Sequence, residues 1–134
     1  MKRLPSDAND DVIVSAIEEW VDLLAAGKIE EATAWLFQPP NAAQPMTAEL
    51  IDQLIVDYWW DAPPVGDRHR VTARASAAGR GPRTAIVRLT VDPTAGSVDY
   101  ALPVDGKWSD LTAILEFRRL DDATVISLDH LHVL

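Results

Sequence analysis

The chain has 134 residues, is 48% hydrophobic and carries a formal net charge of −9. This length allows one domain with a substantial core, the ordinary apolar fraction excludes a disordered chain, and no apolar run is long enough to cross a bilayer. The acidic balance disfavours nucleic acid as a partner, and a chain without cysteine forms no disulfide or thiolate site. We therefore expect one domain over residues 1–134, located in the cytoplasm, that binds neither membrane nor nucleic acid.

The first part of the chain, up to about Trp60, has apolar residues at helical spacing. Asn9 or Asp10 can cap a first helix, Gly27 can end it in a left-handed turn, and a pair of prolines can stop a second helix. Three helices are therefore predicted: one from near Asn9 or Asp10 to Gly27, one from about Ile29 to Phe37, and one from near Thr47 to before Pro63.

From about Arg70 onward the apolar residues alternate with polar ones, which is the period of β-strands. Asp105 and Gly106 give the strongest turn signal, since both suit a two-residue type I′ hairpin, and a second turn falls at 121–122. Five strands are predicted, at about 71–76, 85–91, 97–104, 108–120 and 124–134. Helices followed by such a series of strands predict an α+β domain, with three N-terminal helices packed on an antiparallel sheet.

The two hairpin turns predict which side chains share a face of the sheet. A two-residue turn at 105–106 sets Tyr100 opposite Leu111, and a second at 121–122 sets His130 opposite Ala113 and His132 opposite Leu111. Tyr100 and both histidines then lie on the apolar side that faces the core. A three-residue turn or a bulge would reverse this assignment.

The opposite face of the sheet is expected to be mostly polar, with one apolar cluster. The cluster consists of Ile114, Leu131 and Val133. Because a sheet face is a natural surface for two-fold association, we expect a homodimer formed through the sheet.

The order of the elements resembles the NTF2-like superfamily, also called cystatin-like or SnoaL-like. The residues that carry the resemblance are the opening helix Val12–Ala26 with Gly27, the helix Glu30–Leu36, and the closing strands Trp108–Leu120 and Thr124–Leu134. The resemblance implies a cone in which three helices pack on a curved antiparallel sheet of about five strands and the open end is a pocket. Members of the superfamily include isomerases, dehydratases, cyclases and binding proteins, and many are dimers. No residue of this chain matches a catalytic residue of the family.

Five side chains are candidates for lining such a pocket. Tyr58 and Trp60 end the third helix and can stack on a flat ligand. His130 and His132 lie two apart on one strand, so both imidazoles point the same way and can supply an acid or a base, with the Tyr100 phenol as a donor. We expect no metal, because no third ligand shares that face, and no cofactor, because no cofactor-binding motif is present.

Three functions fit these features. The first is binding without catalysis, either of a small apolar ligand or of a protein partner. The second is a metal-independent isomerase or lyase, in which His130 or His132 is the base and Tyr100 is the donor. The third is an acidic inhibitor, of the kind that immunity proteins are, which binds a basic partner through its negative surface. The first two functions require a cavity.

Overall fold

A computed structural model describes residues 1–58, 66 and 68–133 of the chain. Within this part the five strands form one curved antiparallel sheet, in the order β1-β5-β4-β3-β2, and three helices pack against it. The predicted α+β architecture is therefore confirmed. The elements are β1 (Leu4–Pro5), α1 (Asp10–Ala25), α2 (Ile29–Trp35), α3 (Ala48–Val56), β2 (Thr84–Arg88), β3 (Gly96–Val104), β4 (Lys107–Leu120) and β5 (Ala123–Val133).

The helices begin and end where local chemistry favours it. The Asn9 side chain accepts a hydrogen bond from the Val12 N–H (3.0 Å), and Thr47 Oγ1 accepts one from the Leu50 N–H (3.1 Å). Gly27 has a φ of 76°, the left-handed conformation expected after α1. None of the helices in the described residues has the length and apolar character that crossing a bilayer requires.

Two strands differ from the prediction. The segment 71–76 is not a strand: Val71 makes one isolated bridge with Val104, and residues 74–76 form a single turn of 3₁₀ helix. The reason is that the Arg74 guanidinium is drawn toward α1, where its Nε donates to an Asp22 carboxylate oxygen (2.8 Å). The sheet instead gains β1, a two-residue strand that pairs with Ala123 and Thr124 of β5.

Both predicted hairpin turns are confirmed. Asp105 and Gly106 have φ values of 52° and 85°, as a type I′ turn requires, and they connect the pair Val104–Lys107. The second turn also has two residues, because Leu120 pairs with Ala123.

The core lies between the helices and the inner face of the sheet. Trp20 of α1 is completely buried there, and its indole N–H donates to the Ala32 carbonyl oxygen of α2 (3.1 Å). The inner face of the sheet contributes further buried side chains to this core: Val98, Tyr100, Leu102, Leu111, Ala113, Leu115, Phe117, Ile126 and Leu128.

An irregularity between β3 and β4 changes the partner of Tyr100 but not its face. Pro103 opposes Trp108 whereas Ala101 opposes Thr112, so β4 carries two extra residues in this interval. Tyr100 therefore opposes Ala113, not Leu111 as predicted. Since the shift is an even number of residues, the side chains keep the faces predicted for them.

A bulge between β4 and β5 does reverse the faces of the last residues. Leu115 opposes Leu128 but Ile114 opposes His130, so Asp129 is an extra residue in β5. Leu131 consequently turns into the core, where it is 3% exposed, while His130 and His132 are exposed. The prediction that the histidines face the core was wrong.

The same bulge removes the predicted dimer cluster. Leu131 packs in the core, and Val133 lies opposite Leu111, so it too is turned toward the inner face. Of the three residues only the half-buried Ile114 stays on the outer face, so the prediction that they form one surface was wrong.

Gly96 is predicted to be the glycine least tolerant of substitution. A Cβ at this position would lie 2.7 Å from Phe117 Cζ and even closer to the Val87 carbonyl oxygen. We expect Gly96→Ala to lower the free energy of unfolding by about 3 kcal/mol, because neither ring nor backbone can give way. Gly27→Ala is the control, since a Cβ there meets nothing within 4 Å; it should cost about 1 kcal/mol for its positive φ. Equal losses in chemical denaturation would contradict the crowding argument.

Candidate functional site

A groove opens beside the edge of the sheet that β5 forms. Within the described residues, β1 pairs with β5 at Ala123 and Thr124, and the Phe37 N–H donates to the Ile126 carbonyl oxygen (2.8 Å). Beyond that point residues 38–46, which we call the wall loop, diverge from the strand. The space between the wall loop, α3 and residues 127–130 is a groove of about 460 Å³.

The floor of this groove is apolar. It is formed by Met46 and two leucines of α3, Leu50 and Leu54, together with Leu128 of β5. Met46 and Leu128 are buried, whereas Leu50 and Leu54 are half-buried and still partly in contact with water. Covering such side chains with an apolar ligand gains about 25 cal/mol per Å² of apolar surface removed from water. The groove can therefore bind an apolar group.

The wall loop is held in place by the side chain of Gln38. Its Nε2 donates to the Met46 carbonyl oxygen (2.8 Å), and its Oε1 accepts from the Met46 N–H (3.2 Å). The side-chain amide thus bonds to the Met46 backbone as a neighbouring strand would, and it joins the two ends of the wall loop. Three prolines further limit its conformations: Pro39, Pro40 and Pro45. A wall restrained in this way loses little entropy when a ligand binds.

The rim of the groove is polar and acidic. Glu116 and Asp129 are exposed at the rim, together with His130. Exposed carboxylates contribute little binding free energy on their own, but they steer and orient a cation. The groove is therefore suited to an apolar group that carries a positive charge or a hydrogen-bond donor.

The predicted pocket residues are not brought together. His130 lines the groove, and His132 lies beside it on the outer face of the sheet, with the two imidazole centroids 5.8 Å apart. Tyr100 lies on the inner face, where it is completely buried. Trp60 lies outside the described residues. Tyr100 and the histidines lie on opposite faces of the sheet, so they cannot act together in a proton transfer.

Tyr100 belongs to a polar network that ties the sheet to α1. Its hydroxyl donates to a Glu18 carboxylate oxygen (3.1 Å), and the same oxygen accepts from Arg74 Nη1 (3.1 Å). Burial, followed by the negative charge of Glu18, raises the pKa of Tyr100 well above its ordinary value. Tyr100 is thus a protonated structural donor at neutral pH.

A second polar cluster includes Tyr58, the remaining predicted pocket residue. The Tyr58 hydroxyl donates to an Asp110 carboxylate oxygen (2.7 Å), and its ring makes an edge contact with His69 at a centroid distance of 5.2 Å. Burial and the adjacent Asp110 carboxylate raise the pKa of Tyr58 to about 12. The phenol is therefore a hydrogen-bond donor, not a stacking surface at the groove.

His69 is the most buried polar residue of this cluster. Its Nδ1 lies 2.6 Å from Asp105 Oδ2, and since a carboxylate only accepts, Nδ1 carries the proton. Asp105 Oδ1 accepts in turn from the Arg70 N–H (3.1 Å), so one carboxylate fastens 69–70 to the β3–β4 turn. His69 Nε2 is buried and has no hydrogen-bond partner among the residues that the structure describes. No group of three or more His, Asp or Glu side chains in that part of the chain could hold a metal ion.

Sequence reasoning missed the residues that form the groove. Gln38 and Met46 fall in a segment that composition predicts only as a proline-bearing loop, and Leu50 and Leu54 read as ordinary core positions of a helix. The His69–Asp105 pair was also missed, because Asp105 carries a strong turn signal that by itself explains its presence. Comparison of the chain with protein-family models, curated proteins and solved structures finds no match.

The two tyrosines predict an unusual alkaline titration. Tyr58 and Tyr100 are the only tyrosines of the chain, and both have raised pKa values, that of Tyr58 being about 12. Their contribution to stability is complete below pH 10, the pKa of an unfolded tyrosine, and is lost as the pH rises toward 12. Ultraviolet absorbance should show no tyrosinate in the folded protein near pH 10, while both groups titrate near 10 in denaturant. If the folded protein at pH 10 gives half of the tyrosinate signal that it gives in denaturant at the same pH, the assignment is contradicted for one of the two, and Tyr58→Phe would show which.

Two substitutions of His69 test whether the bond between its Nδ1 and Asp105 stabilises this segment. His69→Ala removes the partner of a buried carboxylate, and we expect the free energy of unfolding to fall by about 3 kcal/mol. His69→Asn places an amide N–H near the position of Nδ1 and should recover more than half of that loss. If both variants are equally unstable in urea, the bond to Asp105 is not what stabilises this segment.

Proposed function

We propose that this protein is a binding domain without catalytic activity, which holds an apolar ligand in the groove beside β5. The observation that carries the proposal is the combination of an apolar floor with a wall loop fastened at both ends by Gln38. A volume of about 460 Å³ lies within the range of small-molecule sites. It is also enough for one or two large side chains of a protein partner.

The chemistry of the rim narrows the class of ligand. Glu116 and Asp129 carry negative charge at the mouth of the groove, and the whole chain has a net charge of −9. An apolar ligand with an ammonium or guanidinium group is favoured over its carboxylate analogue. Such a ligand can be a small amine or a basic, apolar segment of another protein.

We also propose that the chain is an NTF2-like protein of the cytoplasm. Support for the family comes from three helices packed on a curved five-stranded antiparallel sheet that ends in two long strands. Support for the compartment comes from the absence of cysteine in the sequence. Measuring how tightly the groove binds a ligand tests the proposed function independently of the family and of the compartment.

A pair of ligands of opposite charge tests the groove directly. We expect naphthylmethylammonium to shift the NMR signals of the Met46, Leu50, Leu54 and Leu128 methyl groups, and naphthylacetate to bind at least ~10-fold more weakly. Leu54→Glu should abolish both interactions, since it places a carboxylate on the apolar floor. Val12→Glu is the matched control, because it adds the same charge at a position of α1 that is 38% exposed and does not line the groove.

The charge preference has its own test. Glu116→Gln combined with Asp129→Asn should bring the affinities of the two naphthalene ligands close together while leaving the binding site unchanged. If neither ligand shifts these methyl groups, or if Leu54→Glu leaves the shifts intact, the groove is not the binding site.

A further inference from the structure

Strand β2 forms the other edge of the sheet and exposes an apolar surface. Val87 is 60% exposed, and just beyond the strand Leu89 is 50% and Val91 is 94% exposed. In most edge strands such positions are charged or covered, because an uncovered apolar edge invites another strand. In the described chain no strand or helix pairs with β2 on this side.

The backbone of β2 is ready for pairing. The Ala101 N–H donates to the Arg83 carbonyl oxygen (3.0 Å), and the Leu89 N–H donates to the Ala95 carbonyl oxygen (2.9 Å). Because the direction of these groups alternates along a strand, the odd-numbered residues bond to β3. Thr84, Ile86 and Arg88 therefore direct their N–H and C=O groups away from the sheet.

The charges near this edge disfavour a neighbouring strand that would place basic residues opposite Arg83. From Arg68 to Val91 the sequence has six arginines and no acidic residue. Arg88 is occupied by Asp10, with Nε 2.9 Å from the carboxylate oxygen. Arg80 and Arg83 have no ion-pair partner within the described residues. A strand with basic residues facing Arg83 would be repelled.

We propose that β2 pairs with β2 of a second copy of this chain, in an antiparallel register with its two-fold axis at Ile86. In this register Thr84 lies opposite the partner's Arg88, and Ile86 lies opposite the partner's Ile86. All three outward-facing residues of each copy then bond to the other copy. A shift by two residues in either direction leaves one of the three unbonded on each strand.

The side chains fit the same register. On the outer face Ala85 lies opposite the partner's Val87, so the pair joins the exposed apolar surfaces of both copies. Arg83 lies opposite the partner's Leu89, on the side where the partner's chain continues to Asp92. No arginine of one copy lies directly opposite an arginine of the other. The two-fold pairing is closed, so it joins two chains and covers this edge on both of them.

The first test is the mass of the protein in solution. Light scattering over a range of concentrations should give the mass of two chains at high concentration. Thr84→Pro removes one outward N–H, and Val87→Lys charges the joined apolar surface; each should give the mass of one chain with an unchanged circular dichroism spectrum. Val12→Lys, at a position 38% exposed on α1, is the matched control and should remain a dimer. A single-chain mass of the unaltered protein at every concentration would overturn the proposal, as would dimers of both β2 variants.

The second test determines the register. The described residues contain no cysteine, and the sequence has none elsewhere, so introduced thiols report only on this contact. Ala85 and the partner's Val87 form a non-hydrogen-bonded pair, whose Cα separation of about 4.5 Å suits a disulfide. A mixture of Ala85→Cys and Val87→Cys chains should form covalent heterodimers on oxidation. Preferential self-crosslinking of Val87→Cys would overturn the stated register.

Discussion

Strand β4 is hydrogen-bonded along both of its edges, and the positions of the other four strands in the described sheet follow from that pairing. β3 lies on one side and β5 on the other, and through them the strand also positions β2 and β1. Its inward-facing side chains, among them Leu115 and Phe117, belong to the same buried core as Trp20 of α1. Because residue pairing along β4 decides which face each neighbour presents, small irregularities in that pairing change which side chains reach the surface.

Two such irregularities differ in kind. The extra pair of residues opposite Leu102 moves Tyr100 along the strand but leaves it in the core. The single extra residue at Asp129 exchanges the two faces, so that Leu131 enters the core and His130 reaches the rim of the groove. An odd insertion in a strand therefore converts an expected core position into one that faces the groove without changing the fold.

The overall architecture could be predicted from the sequence because its signals are local. The caps at Asn9 and Thr47, the left-handed Gly27 and the turn at Asp105 each act over a few residues. The bulge could not be predicted, because nothing in the residues around Asp129 distinguishes a continuous strand from one with an extra residue. It is favoured by tertiary packing, which buries Leu131 in place of a histidine. The strand predicted at 71–76 does not form, for a related reason: Arg74 bonds to carboxylates of α1, more than 50 residues earlier in the chain.

Gln38 separates the shape of the groove from the stability of the fold. Its two bonds to Met46 close the wall loop at its base, so the residues between Pro39 and Pro45 contribute little to the core, and 40–45 are exposed. Substitutions or insertions within this loop can change the shape and chemistry of the groove while the sheet and helices stay as they are. The wall loop is thus a segment whose sequence can diverge quickly during evolution without loss of the fold, provided that the glutamine at its base is kept.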